Sequence, residues 1–403
     1  MPEVPSRNRK RILAATLAAA AVLASATAML MSARTPAQAV AQEIAVPPHL
    51  GARPINDVSD ITAEDRLERA GPGRDWGDLP ATGVWAEEMA ASRAVCRQVR
   101  DLEPPAADRP DPATARSLAG CDAVSLYYGI GMPADPVRAR LCAFTRHEDS
   151  GAPAITGRAM LMTIYANGVG AGRDLGVATH LACGLAAAPA ESHERVTHLT
   201  ELRAAHWQGR DFHYCDDAGS DEARGACADL RARLAAPRRA AALAALAAGW
   251  PAEHRRAFEA VRRAHAAYVE ALQRATFVGD YDRAALLIES GERERDMFLA
   301  EVRELIAGRI PQYSADQVRR ANRQLAWLVR DGQHEGEYSE DMPGPAEHAR
   351  EEVAWRAYRD AFIAFARARD AGLARVRLAT WLARPRLDAH SLRDDDDSLG
   401  SSS

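Results

Sequence analysis

Two stretches of the sequence align at a fixed offset of 39 residues, without a gap. Residues 129–139 read GIGMPADPVRA, and residues 168–178 read GVGAGRDLGVA. A period of this length is typical of stacked helical hairpins, in which each hairpin buries its apolar face only against its neighbours. The offset therefore predicts an all-α chain that contains a short helical-hairpin solenoid, an architecture used more often for binding than for catalysis.

The positions shared by the two copies fit a helix, a turn and a second helix. The first glycine of each copy follows a helix, where the chain often needs a left-handed backbone. The aspartate precedes the second helix, where its carboxylate can accept free backbone N–H groups, and the alanine one turn later allows close helix packing. The repeat positions are Gly129, Gly131, Asp135, Ala139, Gly168, Gly170, Asp174 and Ala178.

This pattern resembles the Sel-like repeats, which are relatives of the tetratricopeptide repeats. The resemblance is clearest in LMTIYANGVG at residues 161–170, and it covers roughly residues 115–210. The first copy, residues 121–144, is shorter before its glycines, and a third copy near Trp207 lacks the aspartate and the alanine. We interpret that third region as an end cap. The alternative is a pair of generic helical hairpins.

The amino terminus has the three parts of an export signal. Residues 7–11 read RNRKR, an apolar run follows at residues 12–31, and Ala37-Gln-Ala39 has small residues where a signal peptidase cleaves. Because the apolar run is nearly long enough to span a bilayer, a retained amino-terminal anchor is the alternative. Both predict a periplasmic or cell-envelope protein, with residues 40–83 as a linker.

The charge of the exported chain argues against nucleic acid as a partner. Loss of residues 1–39 removes five basic residues and one acid, which changes the net charge from -5 to about -9. A chain with this charge attracts basic proteins, and most strongly at low salt.

Six cysteines in an exported chain predict disulfide bonds. Cys215 and Cys227 enclose a polar, glycine-containing loop and are the first predicted pair. Equal distances from a proline-rich loop favour pairing Cys96 with Cys121, which leaves Cys142 for Cys183. The rival set pairs Cys121 with Cys142 across the first hairpin. The candidates are Cys96, Cys121, Cys142, Cys183, Cys215 and Cys227.

Helical spacing continues after Cys227, and we place a second, bundle-forming domain at residues 228–392 after an array at residues 84–227. Trp355, Tyr358, Phe362 and Phe365 share one helix face and are predicted to lie in the core. Glycine and proline breaks separate helices predicted to about residue 248 and at residues 251–277, 282–306, 315–330, 346–370 and 373–390. Residues 393–403, with Asp394 to Asp397, are predicted to form a disordered acidic tail.

The second domain resembles the lysozyme inhibitor LprI family. The similarity lies in ADQVRRANRQL at residues 315–325, EEVAWRAYRDA at residues 351–361, WLAR at residues 381–384 and a leading WPAE at residues 250–253. The resemblance implies an all-helical envelope domain that binds lysozyme. The family's cysteines have no counterpart after Cys227, and no inhibitory residue carries over. The most specific residues are Trp355, Tyr358, Arg359 and Asp360.

The sequence shows none of the common catalytic or nucleotide-binding motifs, so we predict no catalytic residue, no cofactor and no metal. Four histidines match no zinc-ligand spacing and are interpreted as solvent-facing. Three acids at residues 292–296 are interpreted as a solvated helix face. The histidines are His193, His198, His206 and His213, and the acids are Glu292, Glu294 and Asp296.

These observations predict an exported, non-enzymatic binding protein, with a lysozyme or another basic protein as its partner. The alternative is an adaptor that holds an envelope peptide or protein in its repeat groove. A cell-wall enzyme without a recognisable motif is the third hypothesis. An acidic projecting loop favours the first hypothesis, and an open apolar groove favours the second.

Overall fold

The computed structural model describes residues 75–79, 87–146, 155, 157–276, 283–331 and 343–400, with side chains through residue 388. Within these ranges the chain is all α, with thirteen α-helices, three short 3-10 turns and no strand. None of the described helices is long and apolar enough to cross a bilayer. The predicted export signal and almost all of the predicted linker lie outside the described residues.

Seven helices build the first half around one core. The two repeat copies form the hairpins α3–α4 and α5–α6; α4 packs on α5, and α6 packs on α7 and on α1. The helices are α1 (Ala90–Val99), α2 (Pro112–Ser117), α3 (Ala123–Tyr128), α4 (Pro136–Thr145), α5 (Gly157–Asn167), α6 (Leu175–Cys183) and α7 (Pro189–Ala204).

The repeat positions adopt the conformations expected from the sequence. Asp135 and Asp174 accept backbone hydrogen bonds at the start of α4 and α6, from the third residue of each helix, at 3.0 and 2.9 Å. Gly170 has a φ of +94°, and a Cβ there would lie 2.3 Å from the carbonyl oxygen of Pro136. Glycine at this position therefore lets the turn of the second hairpin contact the first residue of α4. The other three glycines also have positive φ, and both alanines are fully buried.

The structure forms three disulfides and confirms only one pair of the preferred set. Cys215–Cys227 is present as predicted, whereas Cys96–Cys121 and Cys142–Cys183 are wrong. The bonds are Cys96–Cys183, Cys121–Cys142 and Cys215–Cys227. The error came from pairing α1 with the helix after the proline-rich loop. The short helix α2 intervenes there, and α1 packs on α6 and α7 instead.

Removal of the short disulfide should weaken the first half of the molecule measurably. Cys215 and Cys227 are 12 residues apart, and closing a loop of this size stabilises a fold by about 3 kcal/mol in the chain-entropy model. We expect Cys215→Ser/Cys227→Ser to lose about that much in denaturant titrations. Reduced wild-type protein is the control for thiol chemistry. An unchanged unfolding midpoint under oxidising conditions would contradict the expectation.

Six longer helices build the second half. α8 packs along α10, α9 along α12 and α11 along α13. Four of the predicted helices agree with the structure at both ends to within two residues. The helices are α8 (Asp221–Ala247), α9 (Ala252–Ala275), α10 (Arg283–Ile306), α11 (Ala315–Asp331), α12 (Pro345–Arg369) and α13 (Arg375–Gly400).

Two predicted boundaries are wrong. The division at residues 227/228 falls inside α8, whose first turns pack into the array core while Leu243 and Leu246 pack against the bundle core. The predicted disordered tail begins too early, because α13 continues through Asp394 to Asp397 and ends at Gly400. The sequence has no glycine or proline between residues 386 and 399, so nothing local stops the helix there.

Candidate functional site

The LprI-like motif divides between the core and the surface of the bundle. Trp355 and Tyr358 are 3% and 4% exposed, and the core stripe that they form with Phe362 and Phe365 is confirmed. Arg359 lies over the Trp355 ring and donates to Asp360 at 3.0 Å. The aromatic part of the motif therefore holds the bundle together, and only its charged part reaches solvent.

An arginine that the sequence analysis missed lies next to this motif. Arg386 of α13 donates to Glu351 and Glu352 of α12, each at 2.6 Å, and its guanidinium lies 4.7 Å from the centre of the Trp355 ring. All three charged side chains are nearly buried. Burial opposes the charge of Arg386, but the two carboxylates raise its pKa overall. No local sequence signal indicates this contact, because Arg386 lies 34 and 35 residues along the chain from Glu352 and Glu351.

A second pair of carboxylates, Glu294 and Glu301, lies along α10 and is partly buried. Tyr358 donates its hydroxyl proton to Glu301, and its ring stacks on Tyr268 at 5.8 Å. Burial raises the pKa of Glu301 to about 8, an effect that the Tyr358 hydrogen bond partly offsets. Burial also raises the pKa of Glu294 and of Glu351 to about 7. Burial in the folded bundle therefore favours the protonated, uncharged form of these three carboxyls.

The interpretation of residues 292–296 as a solvated helix face is wrong for two of the three acids. Glu294 is partly buried, with its pKa raised. Glu292 accepts from Arg239 of α8 and from Arg295, and it is mostly buried. Asp296 remains exposed and binds Arg239 at 3.0 Å. Glu292 and Asp296 connect α10 to α8 through Arg239, so this stretch lies at a helix interface and not at a solvated surface.

His265 completes the polar interior and stays uncharged. Its ring stacks on Phe298 with centroids 4.4 Å apart, and its Nε2 atom is buried without a hydrogen-bond partner among the described residues. Burial lowers the pKa of His265 to about 3. A neutral imidazole between aromatic rings packs as an aromatic side chain and does not serve as a base.

The stability of the bundle should fall as the pH rises from 6.5 to 8. The folded-state pKa values of Glu294, Glu301 and Glu351 are raised above their ordinary 4.5, so their stabilising effect is complete below pH 4.5 and is lost as pH rises to about 7–8. His265 has a lowered pKa and costs stability only below its ordinary 6.5. Because one such proton changes the unfolding free energy by about 1.4 kcal/mol per pH unit, we expect a fall on the order of 2 kcal/mol.

Glu301→Gln should flatten this pH dependence, because the amide does not ionise. Denaturant titrations at pH 6.5, 7.25 and 8 measure it. Glu304→Gln is the matched control on the same helix, since Glu304 is exposed and its hydrogen bond to Arg309 lowers its pKa. Equal slopes for wild type and Glu301→Gln would show that Glu301 is already ionised at pH 6.5.

An acidic loop connects α7 to the first turn of α8, and its Phe212 and Tyr214 are buried in the array core. Residues 211–222, named here the acidic loop, carry five acids and no base. The Cys215–Cys227 disulfide closes it, and Ser220 fixes its end by donating to Glu191 at 2.7 Å. Asp217 accepts a hydrogen bond from His198 at 3.1 Å. The remaining acids are exposed, namely Asp211, Asp216, Asp221 and Glu222.

A depression of about 270 Å³ adjoins the acidic loop, and it is lined by Cys215 of the loop and by its disulfide partner Cys227 of α8. Leu286, which is 43% exposed, and Glu289 form its far wall, with Arg231 paired to Glu289 at 2.7 Å. The loop was predictable from the sequence as polar and disulfide-closed. The depression was not, because α10 supplies one wall from some 60 residues away.

The groove expected from stacked repeats is filled by the chain itself. Every residue of α5 except Arg158 is buried. Tyr165 donates to Asp108 in the proline-rich loop at 2.9 Å, and Asn167 exchanges two hydrogen bonds with the backbone of Phe212. The segments before α2 and after α7 therefore cover the helix that would otherwise line an open peptide groove.

The four histidines do not form one site, and the interpretation of them as solvent-facing is correct only for His206. His193 hydrogen-bonds Ser92 at 3.0 Å, His198 binds Asp217, and His213 accepts from the backbone N–H of Cys215. Among the described residues, one group has metal-ligand spacing: Asp75, Cys96 and Cys183. Its two sulfur atoms are joined in a disulfide and are therefore not thiolates.

Comparison of the chain with protein-family models, with curated proteins and with solved structures found no match.

Proposed function

We propose that this chain is an exported, non-catalytic binding protein of the cell envelope whose acidic loop docks on a basic protein. A lysozyme is the candidate partner that the LprI-like sequence implies. The observation that carries the proposal is the set of four exposed acids on a loop that a disulfide and a buried carboxylate hold in place. Because the loop is ordered before binding, little conformational entropy is lost when a partner docks.

The distribution of charge supports docking through the array half. Residues 84–227 carry 19 acids and 14 arginines, whereas residues 228–392 carry 24 acids and 27 arginines. The acidic excess that attracts a basic partner therefore lies in the array and not in the LprI-like domain. The depression beside the loop has the disulfide and Leu286 as its apolar wall, and its two arginines, Arg224 and Arg231, make it a seat for an uncharged or acidic side chain of the partner and not for a basic one.

The adaptor hypothesis has less support. It requires an open apolar groove along the repeats, and the chain's own segments cover α5. The enzyme hypothesis also has less support, because the carboxylates with raised pKa values lie within the packed bundle and contact Tyr358 and Arg386.

A titration against a lysozyme at low and high salt tests the proposal. We expect weak-to-moderate binding that weakens markedly between about 20 and 300 mM salt, because salt screens the attraction between opposite charges. Neutralising Asp211, Asp216, Asp221 and Glu222 to the corresponding amides should lower the affinity at low salt by roughly tenfold or more, which is about 1.4 kcal/mol.

The matched control neutralises four exposed acids elsewhere, namely Glu87, Glu88, Asp101 and Glu253. Both variants change the net charge by the same amount, so only the acidic-loop variant should lose most of its affinity. Equal losses of affinity in the two variants would show that general charge attraction, and not docking on the acidic loop, holds the partner. Absence of binding at low salt would favour the adaptor, and hydrolysis of peptidoglycan by the protein alone would overturn both hypotheses.

A further inference from the structure

Helix α11 carries a basic face that points away from the bundle. At 100° per residue, four arginines and Trp327 fall within an arc of about 100°. The opposite side of the helix carries Ala321, Leu325 and Leu328, which pack against the bundle core. The arginines of this face are Arg319, Arg320, Arg323 and Arg330.

The side chains of this basic face are exposed and largely unpaired. Trp327 is 44% exposed, and all four arginines are exposed. Asp316 is the single acid within the arc and binds Arg319, whose side chain is still 60% exposed. The other three arginines form no ion pair with any residue that the structure describes. Among the described residues, the face therefore carries three positive charges without an ion-pair partner around an indole ring.

Neither the packing nor the stability of the bundle accounts for this arrangement. Ala321 is the one buried residue of α11 among those described, so the exposed indole contributes nothing to the core. Like charges three or four residues apart on a helix repel each other and cost stability. Such a face is stabilised when it meets a negatively charged surface.

We propose that the basic face of α11 docks on the surface of an anionic lipid bilayer. The arginine forks match phosphate groups, and tryptophan prefers the headgroup region, where its ring is half in hydrocarbon and half in water. The face is the convex side of a single helix. Such a face can contact a flat surface such as a bilayer, whereas a peptide needs a groove. The apolar run at residues 12–31, when retained, keeps the chain beside a membrane.

This surface is separate from the acidic loop and carries the opposite charge. The lipid face lies on α11, whereas the proposed protein-binding loop is residues 211–222, which end in the first turn of α8. The membrane proposal therefore does not depend on the proposed function. A chain with both surfaces would hold the acidic loop out toward a basic partner while the bilayer neutralises the basic face.

Fluorescence quenching by brominated lipid in vesicles tests the proposal on the full chain. Vesicles of phosphatidylcholine with 30% phosphatidylglycerol should quench part of the wild-type tryptophan emission, and this part of the quenching should be absent in Trp327→Phe. Pure phosphatidylcholine vesicles should not produce it. This readout is local to Trp327, so insertion of the apolar run into both kinds of vesicle does not produce it. About 0.5 M salt should abolish the quenching, because the Debye length is then only a few ångströms.

Arg320→Gln/Arg323→Gln/Arg330→Gln should raise the lipid concentration for half-maximal quenching by roughly 100-fold, since each basic residue near an anionic surface contributes about fivefold. The matched control is Arg238→Gln/Arg256→Gln/Arg263→Gln, three exposed arginines of α8 and α9. Unchanged helicity and melting establish that both variants fold.

Three outcomes would overturn the proposal. They are quenching by neutral vesicles that equals quenching by anionic ones, equal losses in the two triple variants, and absence of Trp327 quenching at low salt. Binding of soluble polyglutamate through the same arginines, without vesicle quenching, would assign the face to an acidic polymer instead.

Discussion

Arg386→Met is expected to destabilise the bundle by about 3–5 kcal/mol at pH 7–8, because it leaves the nearly buried carboxylate of Glu351 without a counter-charge and leaves Glu352 with the more exposed Arg356. Arg386 is the cation to which both Glu351 and Glu352 bind across the α12–α13 interface. It also covers the Trp355 ring, so its loss removes packing as well as charge. Urea titrations of the two proteins measure the difference.

The loss should depend on pH in a defined direction. Without the guanidinium, the already raised pKa of Glu351 rises further. The charge-dependent deficit of the variant is therefore small below about pH 7, where the folded-state acid is protonated in both proteins, and it grows as the pH rises above 7. Arg384→Met is the matched control two residues earlier, since Arg384 is half exposed and binds only the exposed Asp388. Adding Glu351→Gln/Glu352→Gln to Arg386→Met should restore much of the stability.

A deficit that is equal at pH 5 and pH 8 would locate the effect in packing rather than in charge. A deficit equal to that of Arg384→Met would show that solvent reaches Glu351 and Glu352.

Cys96→Ala/Cys183→Ala is expected to cost the array about 4.6 kcal/mol, the largest loss of the three disulfides in the chain-entropy model. The bond joins α1 to α6 and closes a loop with a sequence separation of 87 residues. Both cysteines are fully buried, so the double alanine variant removes the bond without exposing a new surface. The measurement is equilibrium unfolding under oxidising conditions.

Cys121→Ala/Cys142→Ala is the matched comparison. Its sequence separation is 21 residues, for which the same model gives about 3.4 kcal/mol. The order of the two losses is therefore the informative result. A smaller loss for Cys96–Cys183 than for Cys121–Cys142 would show that α1 stays docked on α6 and α7 through packing alone.

The repeat positions and most helix ends were predictable because their signals are local. Glycines with positive φ, aspartates that accept the first N–H groups and proline at the first helical position act within a few residues. The aromatic stripe of α12 was predictable for the same reason, since helical spacing alone places Trp355 and Phe362 on one face. The local signals failed at the end of α13, where no breaker marks a stop.

The candidate sites were only partly predictable. The acidic loop was visible as a charged segment between two cysteines, but its exposure and its attachment to Glu191 were not. The basic face of α11 follows from helical spacing, yet only the packing of Ala321 shows that this face points outward.

The sequence by itself determined that this protein is all-α, where most of its helices begin and end, and that its cysteines form disulfides. The first two properties depend on residues close together in the chain, and the third depends on the even number of cysteines. Only the tertiary structure decided that Cys96 pairs with Cys183, that Arg386 binds two carboxylates of α12 and that the chain covers its own α5. Those contacts depend on which helix faces meet across tens of residues, and packing of the whole chain selects among pairings that the local pattern leaves equally possible.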